Sequence, residues 1–221
     1  MIGMKDGIRV KICGITSKED LKYSIVAGAD YLGFVFFNAS PRNITLESAR
    51  TLCNEVPDGI VKVAVTVNPN DYLIEAITRL SLLDMIQLHG NEDPHRINVI
   101  RDLTHLPIIK AVGIANSLDL RMLESYENVS DQLLIDAKAP KGSRLPGGNG
   151  IKFDWSLLKD YKFTNPWFLA GGLNSANVVE AIAETGAKQI DASSGLEDSP
   201  GKKNYQLIKN FVNTVKSAKK F

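Results

Sequence analysis

The stretch VKICGITSKEDLKYSIVAGADYLGFVF, residues 10–36, contains a strand pattern, a helix pattern and a second strand pattern in succession. In its first segment, VKIC (10–13), Val10 and Ile12 fall on one parity, whereas Lys11 and Cys13 fall on the other. One face of this strand is therefore apolar, and the opposite face carries a cation beside a thiol. Because parallel strands need a crossover and a helix is the usual one, the stretch predicts a βαβ unit.

The same alternation continues along the whole chain in eight cycles. The strand candidates are 10–13, 31–36, 61–67, 85–89, 107–114, 132–137, 167–171 and 189–193. An open, doubly wound sheet has about five or six strands, whereas eight sequential units in about 220 residues match the compact end of the closed barrel. We therefore predict an α/β fold, a (β/α)8 TIM barrel, with residues 1–221 forming a single domain.

Helix patterns follow each of the eight strands, and several carry start or stop signals. Thr16 and Glu19 form the pattern of a capping box, and Asn174 can cap the seventh helix. Gly28 and Gly186 come late enough in their patterns to end helices. The segment FDWSLLKDY (153–161) is predicted to be the sixth helix.

Charge and cysteine content narrow the class of partner. Among 221 residues, 26 are basic and 25 acidic, giving a formal net charge of +1. Such a balanced charge argues against nucleic acid or a membrane surface, so we expect a small-molecule partner. Two cysteines are too few for a secreted disulfide framework, and no signal peptide or membrane-spanning run is visible. We expect a cytoplasmic protein.

Strand parity and strand ends select the candidate functional residues. Barrel strands send alternate side chains into the lumen. The polar residues predicted to point inward are Lys11, Cys13, Gln87, His89, Lys110, Asp136 and Asp191, while apolar neighbours such as Ile109 meet the helices. In this fold the active site lies at the carboxyl ends of the strands. Cys13 and Asp136 end the first and sixth strands, so both belong to that rim.

Two glycine-containing loops predict a phosphate site. WFLAGGLNSANV follows the seventh strand and IDASSGLEDSPGKK follows the eighth, the two positions where this fold usually binds phosphate. Glycine allows close backbone approach to an anion, and successive amide N–H groups supply donors. The candidates are Gly171, Gly172, Ser193, Ser194 and Gly195. The alternative is two tight turns in which glycine is needed for steric reasons only.

Cys13 and Asp136 are the candidate base and acid. Lys11 is a plausible cation to lower the pKa of the Cys13 thiol and so favour the thiolate. A carboxyl that ends the apolar run QLLID is partly desolvated, which suits Asp136 to donate a proton. The alternatives are a buried, apolar Cys13 and an Asp136 that caps a helix or pairs with Lys110. Cys53, inside the second helix pattern, is interpreted as core.

Two further polar residues lie in loops at the same end. Arg42, after the second strand, can grip a carboxylate bidentately, although a surface arginine often serves solubility alone. His89 ends the fourth strand and is a candidate substrate contact. Its companions His95 and His105 lie in the following helix region, so no metal site is predicted.

Taken together, these segments resemble one family, phosphoribosylanthranilate isomerase. The matching motifs are KICGIT, GFVFFNASPRNIT, VAVTVN, IQLHG, LLIDA with GGNG and FDW, LAGGLN, and IDASSGLEDSPGKK, which together span essentially the whole chain. The resemblance implies a cofactor-free Amadori rearrangement of a phosphorylated aminosugar, N-(5'-phosphoribosyl)anthranilate, in tryptophan biosynthesis. It implies Cys13 as general base, Asp136 as general acid and Arg42 as the contact to the anthranilate carboxylate, with Asp191 as a further substrate contact.

Several alternatives stay open at this point. Other phosphate-binding barrels, such as indole-glycerol-phosphate synthase or a histidine-pathway aminosugar isomerase, share part of the pattern, and so would a non-catalytic phosphosugar-binding barrel. The chain could act as a monomer or a homodimer. The segment APKGSRLPGGNG (139–150) is expected to fold over bound substrate, because it is glycine-rich and directly follows the proposed acid.

Overall fold

The computed structural model describes residues 7–140 and 142–218, and these form the predicted closed barrel. All neighbouring strands are parallel, and the last strand closes on the first, with Lys11 beside Asp191. The barrel strands are β1 (Arg9–Cys13), β2 (Tyr31–Phe36), β3 (Val61–Thr66), β4 (Met85–Leu88), β5 (Ile108–Ile114), β6 (Gln132–Ala137), β7 (Trp167–Leu169) and β8 (Gln189–Ala192). A short antiparallel pair, β9 (Glu197–Ser199) and β10 (Lys202–Lys203), follows. All eight strand predictions are confirmed.

Seven α-helices surround the barrel in the described part of the chain. They are α1 (Lys18–Ala27), α2 (Leu46–Cys53), α3 (Asp71–Arg79), α4 (Pro94–Thr104), α5 (Leu123–Glu127), α6 (Val178–Thr185) and α7 (Tyr205–Ser217). The helix predicted over 153–161 is wrong in kind, because only a 3-10 turn forms there, Trp155–Leu158. The Asp154 carboxylate accepts from the Ser156 backbone N–H and hydroxyl, which holds a single turn whose Trp155 and Leu158 are buried. None of the described helices has the length and apolar character needed to cross a membrane.

The start of α1 differs from the predicted capping box. Ser17, not Thr16, is the N-cap, and its hydroxyl accepts from the Asp20 backbone N–H at 3.0 Å. The Thr16 hydroxyl instead lies 2.9 Å from both the Asp20 carboxylate and the Gly201 carbonyl. Glu19 makes no reciprocal cap contact among the side-chain hydrogen bonds of this turn. Thr16 thereby links the first helix to the turn between β9 and β10.

The start of α6 also lies later than predicted, whereas both predicted glycine stops are confirmed. Asn177 precedes α6 without a side-chain cap bond, and Asn174 accepts from the Ala176 backbone N–H at 2.9 Å in the turn before it. Gly28 and Gly186 end α1 and α6 in the left-handed conformation, with φ of 93° and 68°. Glycine adopts this conformation without the steric penalty that other residues carry.

Apolar side chains form two layers, one between barrel and helices and one inside the barrel. The inner layer includes Tyr31, Val63, Met85, Ile109, Leu134 and Phe168. The Tyr31 and Phe168 rings meet edge to face at 5.1 Å. Because side chains fill the lumen, the barrel is a packed core rather than a pore.

The predicted inward direction of Lys110 is wrong. In the sheet, Ile109 is in register with Gln87 of β4, and side chains in register on neighbouring strands share a face, so Ile109 fills the lumen and Lys110 points outward. The Lys110 ammonium donates to the Glu92 carboxylate at 2.8 Å and to the Gly90 carbonyl at 2.7 Å. These partners satisfy a buried cation outside the lumen.

Candidate active site

A cavity opens at the carboxyl ends of the barrel strands, with about 720 Å³ of space including its mouth. Several strand ends contribute polar side chains to its lining, as is typical of the carboxyl end of this fold. Its lining includes the sequence candidates Cys13, Arg42, His89, Asp136, Gly171, Gly172, Asp191, Ser193 and Ser194. Of the ten candidates, only Gly195 lies outside the lining. The structure therefore brings together residues from six different loops or strand ends.

Lys11 and Asp191 form a buried ion pair next to Cys13. The Lys11 ammonium, fully buried, lies 2.7 Å from the Asp191 carboxylate. Burial raises the pKa of the Cys13 thiol, and the Lys11 charge, which lowers it, does not fully offset this. Lys11 thus acts on the pKa of the thiol in the predicted direction, but burial has the larger effect and the net shift is upward. Burial alone would lower the pKa of Lys11, but Asp191 and Cys13 raise it above its ordinary value, so Lys11 stays charged.

Asp136 lies next to His89. One carboxylate oxygen of Asp136 accepts from the Ala137 backbone N–H at 2.8 Å, and the other lies 3.3 Å from His89 Nε2. On the far side of the ring, Gln87 Nε2 lies 2.8 Å from His89 Nδ1. In the tautomer in which the Gln87 amide donates to Nδ1, the ring proton is on Nε2, the nitrogen nearer Asp136. The predicted alternative, Asp136 paired with Lys110, is excluded because Lys110 binds Glu92.

Arg42 is buried and held by a glutamate that the sequence analysis missed. Its Nε and Nη2 each donate to one carboxylate oxygen of Glu197, both at 2.8 Å. The Lys203 ammonium donates to the same carboxylate at 2.6 Å. Burial alone would lower the pKa of Arg42, but Glu197 raises it above its ordinary value. The only sequence signal for this group was its place in the motif SGLEDSPGKK, just after the predicted phosphate loop.

The loops after β7 and β8 pack against each other beside this group. The Ser193 hydroxyl donates to the Cys13 carbonyl at 2.9 Å, which ties the β8 loop to the end of β1. A side chain at Gly195 would lie 2.3 Å from the Leu173 carbonyl oxygen, so Gly195 allows the two loops to approach. Gly171 and Gly172 have positive φ and line the cavity. Residues of both loops thus line the cavity together.

The segment predicted to cover the site already borders it. Residues 145–149 line the cavity, and Gly147 lies directly against His89 and Asp136. A Cβ added there would lie 2.4 Å from His89 Nε2 and 2.7 Å from the Asp136 carboxylate. Only a residue without a side chain fits this close approach.

Comparisons with known proteins agree with this geometry. A closed barrel with titratable groups at its carboxyl end belongs to the class of (β/α)8-barrel enzymes. A family model described as N-(5'phosphoribosyl)anthranilate (PRA) isomerase matches residues 10–214. The chain belongs to the N-(5'-phosphoribosyl)anthranilate isomerase family. This decides against the other phosphate-binding barrels considered from the sequence.

The relatives cover nearly the whole chain. An N-(5'-phosphoribosyl)anthranilate isomerase of Paracoccus denitrificans is 48% identical over 93% of this chain and 95% of its own, and one of Ruegeria sp. is 46% identical over 95% and 98%. The solved isomerase from Thermotoga maritima has a TM-score of 0.85 at 38% identity, covering 94% and 98%. Another solved isomerase, at TM-score 0.81 and 35% identity over 94% and 98%, is in complex with reduced 1-(o-carboxyphenylamino)-1-deoxyribulose 5-phosphate.

Proposed function

We propose that this chain converts N-(5'-phosphoribosyl)anthranilate to 1-(2-carboxyphenylamino)-1-deoxyribulose 5-phosphate, a step of tryptophan biosynthesis, by acid–base chemistry of its own side chains. The observation that carries the proposal is that Cys13, at the end of β1, and Asp136, near the end of β6, line one cavity. Ring opening needs a proton donor and isomerisation needs a base, and these two groups supply them.

The two groups act in sequence. The Asp136 carboxyl donates its proton to the furanose ring oxygen, the C1–O bond breaks, and the nitrogen lone pair forms a C1=N iminium. The Cys13 thiolate then removes the C2 proton, the C–H electron pair forms a C1=C2 bond, and the nitrogen becomes neutral. Transfer of the 2-hydroxyl proton to C1 yields the ketose. Asp136 and Cys13 return to their starting states by proton exchange.

The remaining candidates bind the two charged ends of the substrate. Arg42 contacts the anthranilate carboxylate, because it is a buried guanidinium with one nitrogen left for a ligand. Gly171, Gly172, Ser193, Ser194 and Gly195 form the phosphate site through backbone amides and hydroxyls. His89 and Asp191 contact the sugar, since both line the same cavity.

The experiment is turnover by purified protein, followed as loss of phosphoribosylanthranilate fluorescence. We expect Cys13→Ser to lower kcat by orders of magnitude with little change in affinity, because a hydroxyl is a far poorer base. Asp136→Asn should lose the acid step similarly. Cys53→Ser is the matched control: Cys53 is buried in α2, away from the cavity, with a pKa raised to about 12 by burial.

Two outcomes would contradict the proposal. Near-normal turnover in Cys13→Ser or Asp136→Asn would remove that residue from the chemistry. Binding of substrate by the wild-type protein without turnover would instead indicate a non-catalytic phosphosugar-binding barrel.

We further propose a cytoplasmic protein that acts as a monomer or a homodimer. The free thiols of Cys13 and Cys53 suit a reducing compartment. A related phosphoribosylanthranilate isomerase from Thermotoga maritima, 36% identical, is described as dimeric. Light scattering during size-exclusion chromatography measures the molar mass and so distinguishes a monomer from a homodimer. A net charge of +1 gives no support for a nucleic-acid partner.

A further inference from the structure

Three charged side chains form a buried group at one side of the cavity. Glu197 lies between Arg42 and Lys203, and the side chains of the three are 3%, 7% and 0% exposed. The group pairs two basic side chains with one carboxylate; burial lowers the pKa of Lys203, and Glu197 opposes that shift without fully offsetting it. Buried charges are stable only when they are paired and hydrogen-bonded, so each member of this group depends on the position of the others.

Glu197 fixes the plane of the Arg42 guanidinium. A bidentate pair uses two parallel N–H···O bonds and leaves little rotational freedom. Because Nε and Nη2 are engaged with Glu197, Nη1 is directed away from it, and a Cβ at Gly148 would lie 2.8 Å from Nη1. Gly148 belongs to the segment that lines the cavity. The free edge of the guanidinium therefore faces the ligand space.

The short β9–β10 hairpin holds Glu197 itself in place. Besides the Lys203 bond, the Gly201 backbone N–H donates to the Glu197 carboxylate at 3.2 Å. The Lys203 ammonium also contacts the Ser193 carbonyl and hydroxyl at 3.2 Å and 3.3 Å. One buried lysine thereby connects the partner of Arg42 to the loop after β8.

We propose that Glu197 is a positioning residue: held by Lys203, it orients Arg42 so that Nη1 binds the carboxylate of the substrate. This inference rests on the proposed function, in which Arg42 contacts the anthranilate carboxylate. Glu197 does not touch the reacting atoms, so its effect falls on the affinity for the carboxylate-bearing substrate. Lys203 offsets the charge of Glu197, which keeps the group attractive to an anion.

The test is Glu197→Gln, which preserves size but replaces the bidentate acceptor by an amide. We expect KM to rise about tenfold to a hundredfold, the equivalent of a lost charge-assisted hydrogen bond, with kcat within about threefold of wild type. Inhibition by inorganic phosphate should stay unchanged, because the phosphate loops keep their own contacts. A fall in kcat with unchanged KM would overturn the inference.

A double-mutant cycle with Arg42→Met distinguishes action through Arg42 from an independent effect. In the Arg42→Met background, adding Glu197→Gln should raise KM by less than about twofold, since the group that it orients is gone. Additive effects of the two substitutions would contradict the inference. If Glu197→Gln fails to fold, Glu197→Asp, which keeps a carboxylate for both cations but shortens the side chain that holds Arg42, should raise KM in the same direction and show the same cycle.

Glu92→Gln is the matched control, because Glu92 forms a buried ion pair with Lys110 at 2.8 Å outside the cavity. It should lower stability without raising KM. An equal KM rise in this control would assign the effect to general destabilisation. If the wild-type protein shows no turnover, the proposed function and this inference are both wrong. If the wild-type protein turns over normally but the KM effects of Glu197→Gln and Arg42→Met are additive, only the inference is wrong.

Discussion

At the residue scale, burial is the largest influence on the pKa of Cys13 and Lys11 is the largest influence opposing it, while Asp191 adds a smaller upward shift and Lys203 a smaller downward one. Burial disfavours the thiolate, and the Lys11 ammonium, two residues back on the same strand, favours it. The outcome is a thiol with a raised pKa, which is a stronger base when ionised but is ionised less often at neutral pH. Lys11 itself is kept charged by Asp191, so the cation below the thiol is permanent over the working range.

This balance predicts the effect of Lys11→Met on the pH profile. Since kcat/KM requires the thiolate, it should rise from neutral to alkaline pH in the wild-type protein. Lys11 lowers the pKa of Cys13, so its removal raises that pKa further, and the rising limb moves to higher pH. Each unit of displacement lowers the thiolate fraction at neutral pH about tenfold. The measurement is kcat/KM against pH.

Lys110→Met is the control for this variant. It also removes a buried ammonium from an ion pair, but Lys110 points away from the lumen toward Glu92. Its pH profile should coincide with that of the wild-type protein even though its stability falls. If the Lys11→Met limb coincided with the wild-type limb as well, the thiol would not depend on Lys11.

At the element scale, the segment 139–150 runs from the end of β6, which carries the proposed acid Asp136, to residues that line the cavity. It follows β6 directly, and Gly147 approaches both His89 and Asp136. Among its described residues, 139–140 and 142–150, the side-chain hydrogen bonds of Ser143 and Asn149 stay within the segment, and both residues bond to the Leu145 carbonyl. Such a segment can open without breaking the barrel.

We therefore predict that ligand binding protects this segment. With the reduced product analogue bound, backbone amides of residues 142–149 should exchange with solvent more slowly, while amides of β2 and β3 should stay unchanged. Hydrogen exchange followed by mass spectrometry measures both regions in one experiment. Equal exchange of the segment with and without the analogue would show that it does not close over the ligand.

At the scale of the whole molecule, the barrel could be predicted from the sequence, but the ion pairs between distant residues could not. The strands could be predicted because each is a short local run of apolar and β-branched residues bounded by turn signals. The Arg42–Glu197 pair joins positions 155 residues apart, and no local pattern reports such a contact. The same limit explains Lys110: its direction depends on strand register and on Glu92, which only the folded chain brings together.

The net pKa of Cys13 shows a second limit. Spacing placed Lys11 beside the thiol, and the structure confirms that the cation lowers the pKa, but the degree of burial decides the sign of the shift. Burial is a property of the assembled barrel and cannot be read from KIC alone. In contrast, the cavity brought together nine of the ten predicted residues, because the carboxyl ends of parallel strands meet at one rim.

The buried charge group also affects the stability of the whole fold in acid. Burial alone would raise the pKa of Glu197, but Arg42 and Lys203 lower it below its ordinary value. Between the folded and unfolded pKa values the unfolded chain binds more protons, so stability rises with pH. The contribution of Glu197 is therefore complete above the ordinary glutamate pKa of 4.5 and is lost as pH falls through the lower, folded value.

Glu197→Gln should consequently flatten the acid limb of stability. A single titrating group contributes at most about 1.4 kcal/mol per pH unit to the slope of stability against pH. Glu197→Gln lacks this contribution to the slope even if it also lowers stability at every pH. Urea unfolding at a series of acidic pH values gives the two slopes. Asp119 is another carboxylate whose pKa is lowered: burial alone would raise it, but Lys138 and backbone N–H groups lower it. Asp119→Asn should therefore flatten the acid limb independently of Glu197→Gln. Parallel limbs for wild type and Glu197→Gln would show that Glu197 is not held as an anion between its two cations.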